Sequence, residues 1–204
     1  MREKHALFQF RSIGPVYYNA GMVNCAVVSR ARRPYPVMEI TLMNFQIRPY
    51  RGEDLAQILA LSVLAWEPVF TEWEKLVGSE IFPIAIYPDW RKGQQEVVEN
   101  SIKDERNSTL VAVAEGKVAG YIVYSLDEGK KVGEIQLLAV RPDDQNHGIG
   151  TQLNLVVLQK MREAGMKVVT VGTGGDAGHA AARKCYEKSG FNRSIPGVHY
   201  YLAL

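Results

Sequence analysis

From Phe45 onward the apolar positions change period in a regular order, and that order predicts the elements. Phe45-Gln-Ile-Arg48 alternates as a short strand does. Glu53 to Trp66 then places Leu55, Ile58, Leu59 and Ser62 at helical spacing, so a strand feeds an amphipathic helix. The aromatic stretch from Glu67 to Trp90, broken by Pro68, Pro83 and Pro88, reads as a mobile helix-and-loop cover. Arg91 to Arg106 predicts a helix, and Thr109–Ala114 with Val118–Leu126 predicts a β-hairpin around Glu115-Gly-Lys. A second turn at Glu128-Gly-Lys-Lys leads into an apolar strand, Gly133–Val140. A helix follows from near Gly148 through Leu153, Val156, Val157 and Met161, then a strand at Lys167–Gly172 and a helix from about Ala177 to Ser189. Two short strands, around Phe191 and at Val198–Leu202, complete the chain. Antiparallel strands followed by a βαβ unit predict an α/β (α+β) fold with a mixed, mostly antiparallel central sheet and helices on both faces.

Composition adds a boundary. The 204 residues, 47% hydrophobic and 23% charged, suffice for one sizeable core and leave an appendage. Up to Met43 the chain carries six Lys/Arg against two acids, whereas the rest carries 18 bases and 20 acids. Residues 1–43 therefore read as a poorly ordered or irregular basic extension, and residues 44–204 as the domain. The longest clean apolar run of the extension, Cys25–Val28, is too short for a signal-peptide core; a mitochondrial presequence is the alternative. A net charge of +2 gives no case for a nucleic-acid partner. Two cysteines make neither a disulfide framework nor a zinc site, so a reducing cytoplasmic setting and no metal are expected. No continuous apolar run approaches the roughly 20 residues that cross a bilayer, so no membrane partner is expected.

The chemistry concentrates at Val140-Arg-Pro-Asp-Asp-Gln-Asn-His-Gly-Ile-Gly-Thr151, where a strand runs into a glycine-punctuated turn that opens a helix. Such a turn sets free backbone N–H groups at the positive end of a helix dipole, which suits a phosphate. Gly148 and Gly150 admit a bulky pyrophosphate close to main chain. A Walker loop is excluded, because Gly150 is followed by Thr151-Gln152 without a lysine. Val168–Val171 running into Gly172-Thr-Gly-Gly-Asp-Ala-Gly178 imitates the start of a dinucleotide fold, but too few residues follow to complete one.

With Gln145-Asn-His-Gly-Ile-Gly150 matching Gln/Arg-x-x-Gly-x-Gly/Ala, and Ala182-Arg-Lys-Cys-Tyr-Glu-Lys-Ser-Gly-Phe191 matching Ala-x-x-x-Tyr-Glu-Lys-x-Gly-Phe, residues 45–204 resemble the GNAT superfamily of acetyl-CoA-dependent N-acetyltransferases. The resemblance implies acetyl-CoA as co-substrate, bound by main chain at Leu138, Ala139 and Val140 and by the turn Gln145, Asn146, His147, Gly148, Ile149, Gly150 and Thr151. It implies Tyr186 as the general acid that protonates the departing sulfur, against the plainer reading of a tyrosine packed between helix and sheet. Glu134 falls where several relatives keep a glutamate base, direct or through water, although a solvated glutamate at a strand entrance fits equally. Strand alternation puts it on one face with Gln136, Leu138 and Val140. His179 replaces an asparagine of many relatives and either donates to the pantetheine or a water, or caps the helix after Asp176-Ala-Gly178. His147 either lies beside the pyrophosphate or is simply exposed.

The acceptor expected from the resemblance is an amine, on a small molecule or a peptide. Glu67, Glu72, Glu74, Glu80 and Asp89, interleaved with Trp66, Phe70, Trp73, Phe82, Tyr87 and Trp90, suit a cation. The same pattern describes an amphipathic helix pair with its aromatics in the core. A homodimer and a non-catalytic acetyl-CoA sensor or scaffold both stay open.

Overall fold

The computed structural model describes residues 45–204; residues 1–44, and with them the basic extension and Cys25, lie outside the described residues. Five strands form one sheet in sequence order: β1 (Phe45–Pro49), β2 (Asn107–Ala114), β3 (Lys117–Asp127), β4 (Val132–Val140) and β5 (Val168–Val171). Neighbours run antiparallel except β4 and β5, which are parallel. The β2–β3 turn follows from Glu115 and Gly116, whose φ angles of 50° and 76° give the twist that a two-residue hairpin needs.

Two helices cover one face and one the other. On the first, Ile58 and Leu61 of α1 (Leu55–Val77) and Val98 of α3 (Trp90–Lys103) pack on Val111, Tyr121, Val123 and Ala139. On the second, Ile149, Leu153, Val157 and Met161 of α4 (Ile149–Glu163) pack on Leu110, Ala112, Ile122, Tyr124 and Ile135. The buried Tyr121 hydroxyl is satisfied by Ser62 at 2.9 Å, and Ser62 in turn donates to the Ile58 carbonyl at 2.7 Å. A buried phenol thus finds its partner inside the α1 interface.

The stretch expected to be a helix-and-loop cover is helical over most of its length. α1 runs through Pro68 to Val77, a short helix α2 spans Phe82–Ala85, and Asp89 caps α3 by accepting from the amides of Arg91 and Lys92. Proline removes one helix hydrogen bond, but Val69 and Phe70 just beyond it are buried. Phe70 stacks on Trp90 at 4.6 Å and meets Trp73, Phe82 and Tyr87 edge-on. Burial of this aromatic cluster carries the helix past the proline, and the amphipathic reading of the segment holds for these rings. Residues 52–77 are long and apolar enough by composition to span a bilayer, contrary to the expectation from apolar runs. In this fold the buried side of α1 faces the sheet.

The two final strands do not form. After α5 (Ala180–Lys188) the chain runs to Leu204 without regular structure, with Ile195, Val198, Tyr200 and Leu202 strongly exposed. A strand needs a paired edge, and β5, the edge beside which they would lie, is only four residues long.

At the start of the domain, Arg48 grips Asp54 through two hydrogen bonds of 2.7 and 2.8 Å, and the Arg51 amide donates to the same carboxylate at 2.8 Å. These contacts fix the entry into α1. The Arg48 bond first, and the Arg51 amide with it, hold the Asp54 carboxyl below the usual carboxylate range, against the burial that raises it. Its contribution is therefore full above the unfolded pKa of about 3.9 and lost as pH falls through the lower folded value. Asp54→Ala should lower stability at pH 7 by on the order of 2–3 kcal/mol. That is below the roughly 3–5 of a fully buried pair, because Arg48 keeps contact with water. Urea midpoints at neutral and acid pH check this, the variant losing less stability in acid than the parent.

Candidate functional site

Two features of β4 build the site. The first is where its partner stops: β5 pairs with Val132 to Ile135 only, so among the described residues no strand lies beside the edge of Gln136 to Val140 that faces away from β3. The second is a bulge. Val123 of β3 faces Leu137 and Tyr124 faces Ile135, which leaves Gln136 without an opposite residue.

The bulge corrects the expected alternation. Gln136 donates to the Ser125 hydroxyl at 3.2 Å, and Ser125 is the cross-strand partner of Glu134, so Glu134 and Gln136 do share a face. Leu138 and Val140 do not share it: they pack with Ile135 in the α4-side core, while Leu137 and Ala139 pack on the α1–α3 side. One extra residue has exchanged the faces. Glu134 therefore belongs to the wall on which α1 lies, together with Leu137 and Ala139, while Leu138 and Val140 face α4.

The turn after Val140 has the form of an anion seat. Asn146 and Gly148 adopt left-handed φ values of 63° and 83°. Gly148 is the N-cap of α4 and brings no side chain to cap it, so the first amides of the helix are left for another acceptor. Gln145 is used otherwise: its side-chain amide donates to the Val140 carbonyl at 3.1 Å and ties the turn back to the strand. His147 is exposed. Close packing sets the height of the seat. A Cβ at Gly150 would stand 3.1 Å from the Cys185 sulfur, and one at Gly120 would stand 2.9 Å from the Ala139 carbonyl.

α5 crosses beside this seat. Cys185 touches Gly150, and its sulfur is 3.5 Å from the amide of the buried Asn154 and 3.9 Å from the Thr151 hydroxyl. Burial pushes the Cys185 thiol up, which suits packing rather than reactivity. Tyr186, 8% exposed, meets Phe191 edge-on at 5.8 Å. Burial first, and the neighbouring Cys185, push its phenol well above the ordinary value, so the proton stays on oxygen near neutral pH.

The other end of α5 holds a constellation of which the sequence disclosed only the histidine. His179 is the N-cap, but its ring makes no cap hydrogen bond; Nδ1 lies 2.7 Å from Oδ2 of Asp176. The Trp73 indole donates to the same oxygen at 3.2 Å, and the His179 amide donates to Oδ1 at 3.2 Å. Burial raises the Asp176 pKa, and the His179 and Trp73 hydrogen bonds outweigh it, leaving a carboxylate below its usual range. The Asp-x-x-His spacing was a usable signal, but Trp73 lies 103 residues from Asp176 and gave none.

The glycines of this loop serve packing. A Cβ at Gly178 would stand 2.7 Å from Cα of Val69, and one at Gly174 would overlap both Asp176 and His179.

The architecture agrees with the comparisons to known proteins. The model of the acetyltransferase (GNAT) family matches residues 69–191. The chain belongs to the GNAT acetyltransferase family. Its curated relatives include the mycothiol acetyltransferase of Rhodococcus opacus (strain B4), 26% identical over 187 residues covering 88% of this chain and 57% of the relative. That of Saccharomonospora viridis is 28% identical over 127 residues, 55% of this chain and 41% of the relative. The chain thus spans about half the length of the curated relatives it matches.

Among solved structures, a GNAT family acetyltransferase from Brucella melitensis in complex with acetyl-CoA is 25% identical. It has a TM-score of 0.51 and covers 74% of this chain and 84% of its own. The PaiA N-acetyltransferase of Thermoplasma acidophilum, in complex with coenzyme A, shares the fold at a TM-score of 0.55 and 18% identity, with 74% and 91% covered.

Proposed function

We propose that this GNAT protein is an N-acetyltransferase that moves the acetyl group of acetyl-CoA to a primary amine in a ternary complex. One observation carries the reading: the unpartnered edge of β4 from Gln136 to Val140 leads to the uncapped start of α4, with Tyr186 on the adjoining helix. The α4 amides and the left-handed turn fit a pyrophosphate, and the open main chain from Leu138 to Val140 fits the amide groups of a pantetheine arm as it would a sixth strand. Acetyl-CoA, when bound there, supplies an acyl group activated as a thioester.

The residues divide the remaining work. Tyr186, protonated and shielded, gives its proton to sulfur as the thiolate leaves. Glu134, on the opposite face of the strand from Leu138 and Val140, places negative charge on the α1 side and receives an acceptor proton through water. The acceptor is a small-molecule or peptide amine that enters from this side. The name of the curated relatives directs the first trials to thiol-bearing small amines.

Thermal unfolding with and without acetyl-CoA, with NADH as control, tests the cofactor. At about 100 times Kd the midpoint should rise by several degrees, the equivalent of roughly 2.7 kcal/mol. A shift with NADH alone would overturn the reading. A shift with acetyl-CoA, joined to silence in CoA release across a broad amine panel, would make the protein an acetyl-CoA sensor.

A further inference from the structure

The Asp176–His179 pair lies at the end of α5 away from the phosphate seat. Cys185 marks the seat end by touching Gly150, whereas His179, two turns earlier, sits against α1: its ring centroid is 5.7 Å from that of Trp73. The pair is held from three elements. Trp73 reaches it from α1, Arg183 of α5 donates to the carbonyls of Gly174 and Asp176, and Gly174 lies flush beneath both side chains. The His179 side chain keeps 16% exposure, more than a sealed structural pair would. Asp176 is ionised and accepts at Nδ1, which fixes the imidazole as the Nδ1–H tautomer and leaves the lone pair on Nε2.

A primary ammonium must lose two protons to become an amide: one before its nitrogen can attack, one after. Glu134, acting through water, accounts for the second. We propose that His179 takes the first, through Nε2, with Asp176 as its orienting carboxylate and Trp73 as the group that positions Asp176. The proton passes from the ammonium to Nε2, and the electron pair it leaves stays on the amine nitrogen. Of the two protons lost, one balances the proton that Tyr186 delivers to sulfur and the other goes to solvent. About His179 the structure sets Asp176 in its own loop and the indole of Trp73 from α1, with Arg183 one turn along α5 bonded to the Gly174 and Asp176 carbonyls.

This inference rests on the acetyl transfer proposed above, so the test uses two nucleophiles. Phenethylamine is an ammonium at pH 7 and needs the base; hydroxylamine is already uncharged there and does not. His179→Ala should lower turnover of phenethylamine about 10²- to 10⁴-fold and leave that of hydroxylamine within a few-fold, with the acetyl-CoA melting shift unchanged. Added imidazole should restore part of the phenethylamine rate, and Asp176→Asn should show a smaller loss of the same selectivity. Equal losses with both nucleophiles, or none with either, overturn the role of His179 while acetyl transfer stands. Parent protein inactive toward both nucleophiles and across the amine panel overturns the transfer reading itself.

Discussion

Tyr186→Phe is expected to lower the rate of acetyl transfer on the order of 10²- to 10⁴-fold, the usual cost of removing a general acid. The substitution removes one oxygen and keeps the ring that packs on Phe191. The helix and the seat therefore keep their geometry. Acetyl-CoA should still raise the unfolding midpoint as it does in the parent, and the loss should appear in kcat with little change in KM for acetyl-CoA. Because burial holds the phenol protonated far above neutrality, the parent should show no basic limb from Tyr186 up to about pH 9. Turnover by the Phe variant equal to that of the parent would reduce Tyr186 to packing.

The second large effect concerns stability. Leu153 is completely buried on α4, one turn past the seat, among Ile135, Ile149, Val157 and Met161. Leu153→Ala should destabilise the fold by about 2–5 kcal/mol, the transfer term plus that of the cavity left behind. At roughly 2–4 °C per kcal/mol for a chain of this size, the midpoint should fall by on the order of ten degrees. The relevant comparison is with Val156→Ala on the same helix, only partly buried, which should cost much less. Similar losses from the two would mean that α4 is not anchored by its buried stripe.

What could be read from the chain follows from the range over which each signal acts. β4, the turn at Gln145–Gly150, α4 and α5 were legible because period, glycine position and helix opening are local and agree with one another. The course of α1 beyond Trp66 was not, since Pro68 is a local breaker while the cluster about Phe70 that overrides it draws on Phe82, Tyr87 and Trp90. Tail strands at Phe191 and Val198 had the right residues but no edge long enough to pair with. The face of Leu138 and Val140 was misread for a related reason: a bulge is a property of two strands in register, and Gln136 alone carries no mark of it. Where Glu134 and Gln136 sit relative to each other survived, because the alternation breaks only after them.

The bulge at Gln136 also has a bearing on how such a protein changes over generations. It shifts the alternation of β4 by one position: Glu134 before it and Leu137 and Ala139 after it face the α1–α3 side, while Ile135 before it and Leu138 and Val140 after it face α4. A substitution at Glu134 therefore leaves the residues that pack under α4 in place. Deleting the single residue at 136 would remove the bulge and leave Leu137 and Ala139 on the α1–α3 side and Leu138 and Val140 on the α4 side, because each keeps its partner in β3. The unpaired residue is therefore the position of β4 at which a change of length leaves the cross-strand pairs on either side of it intact.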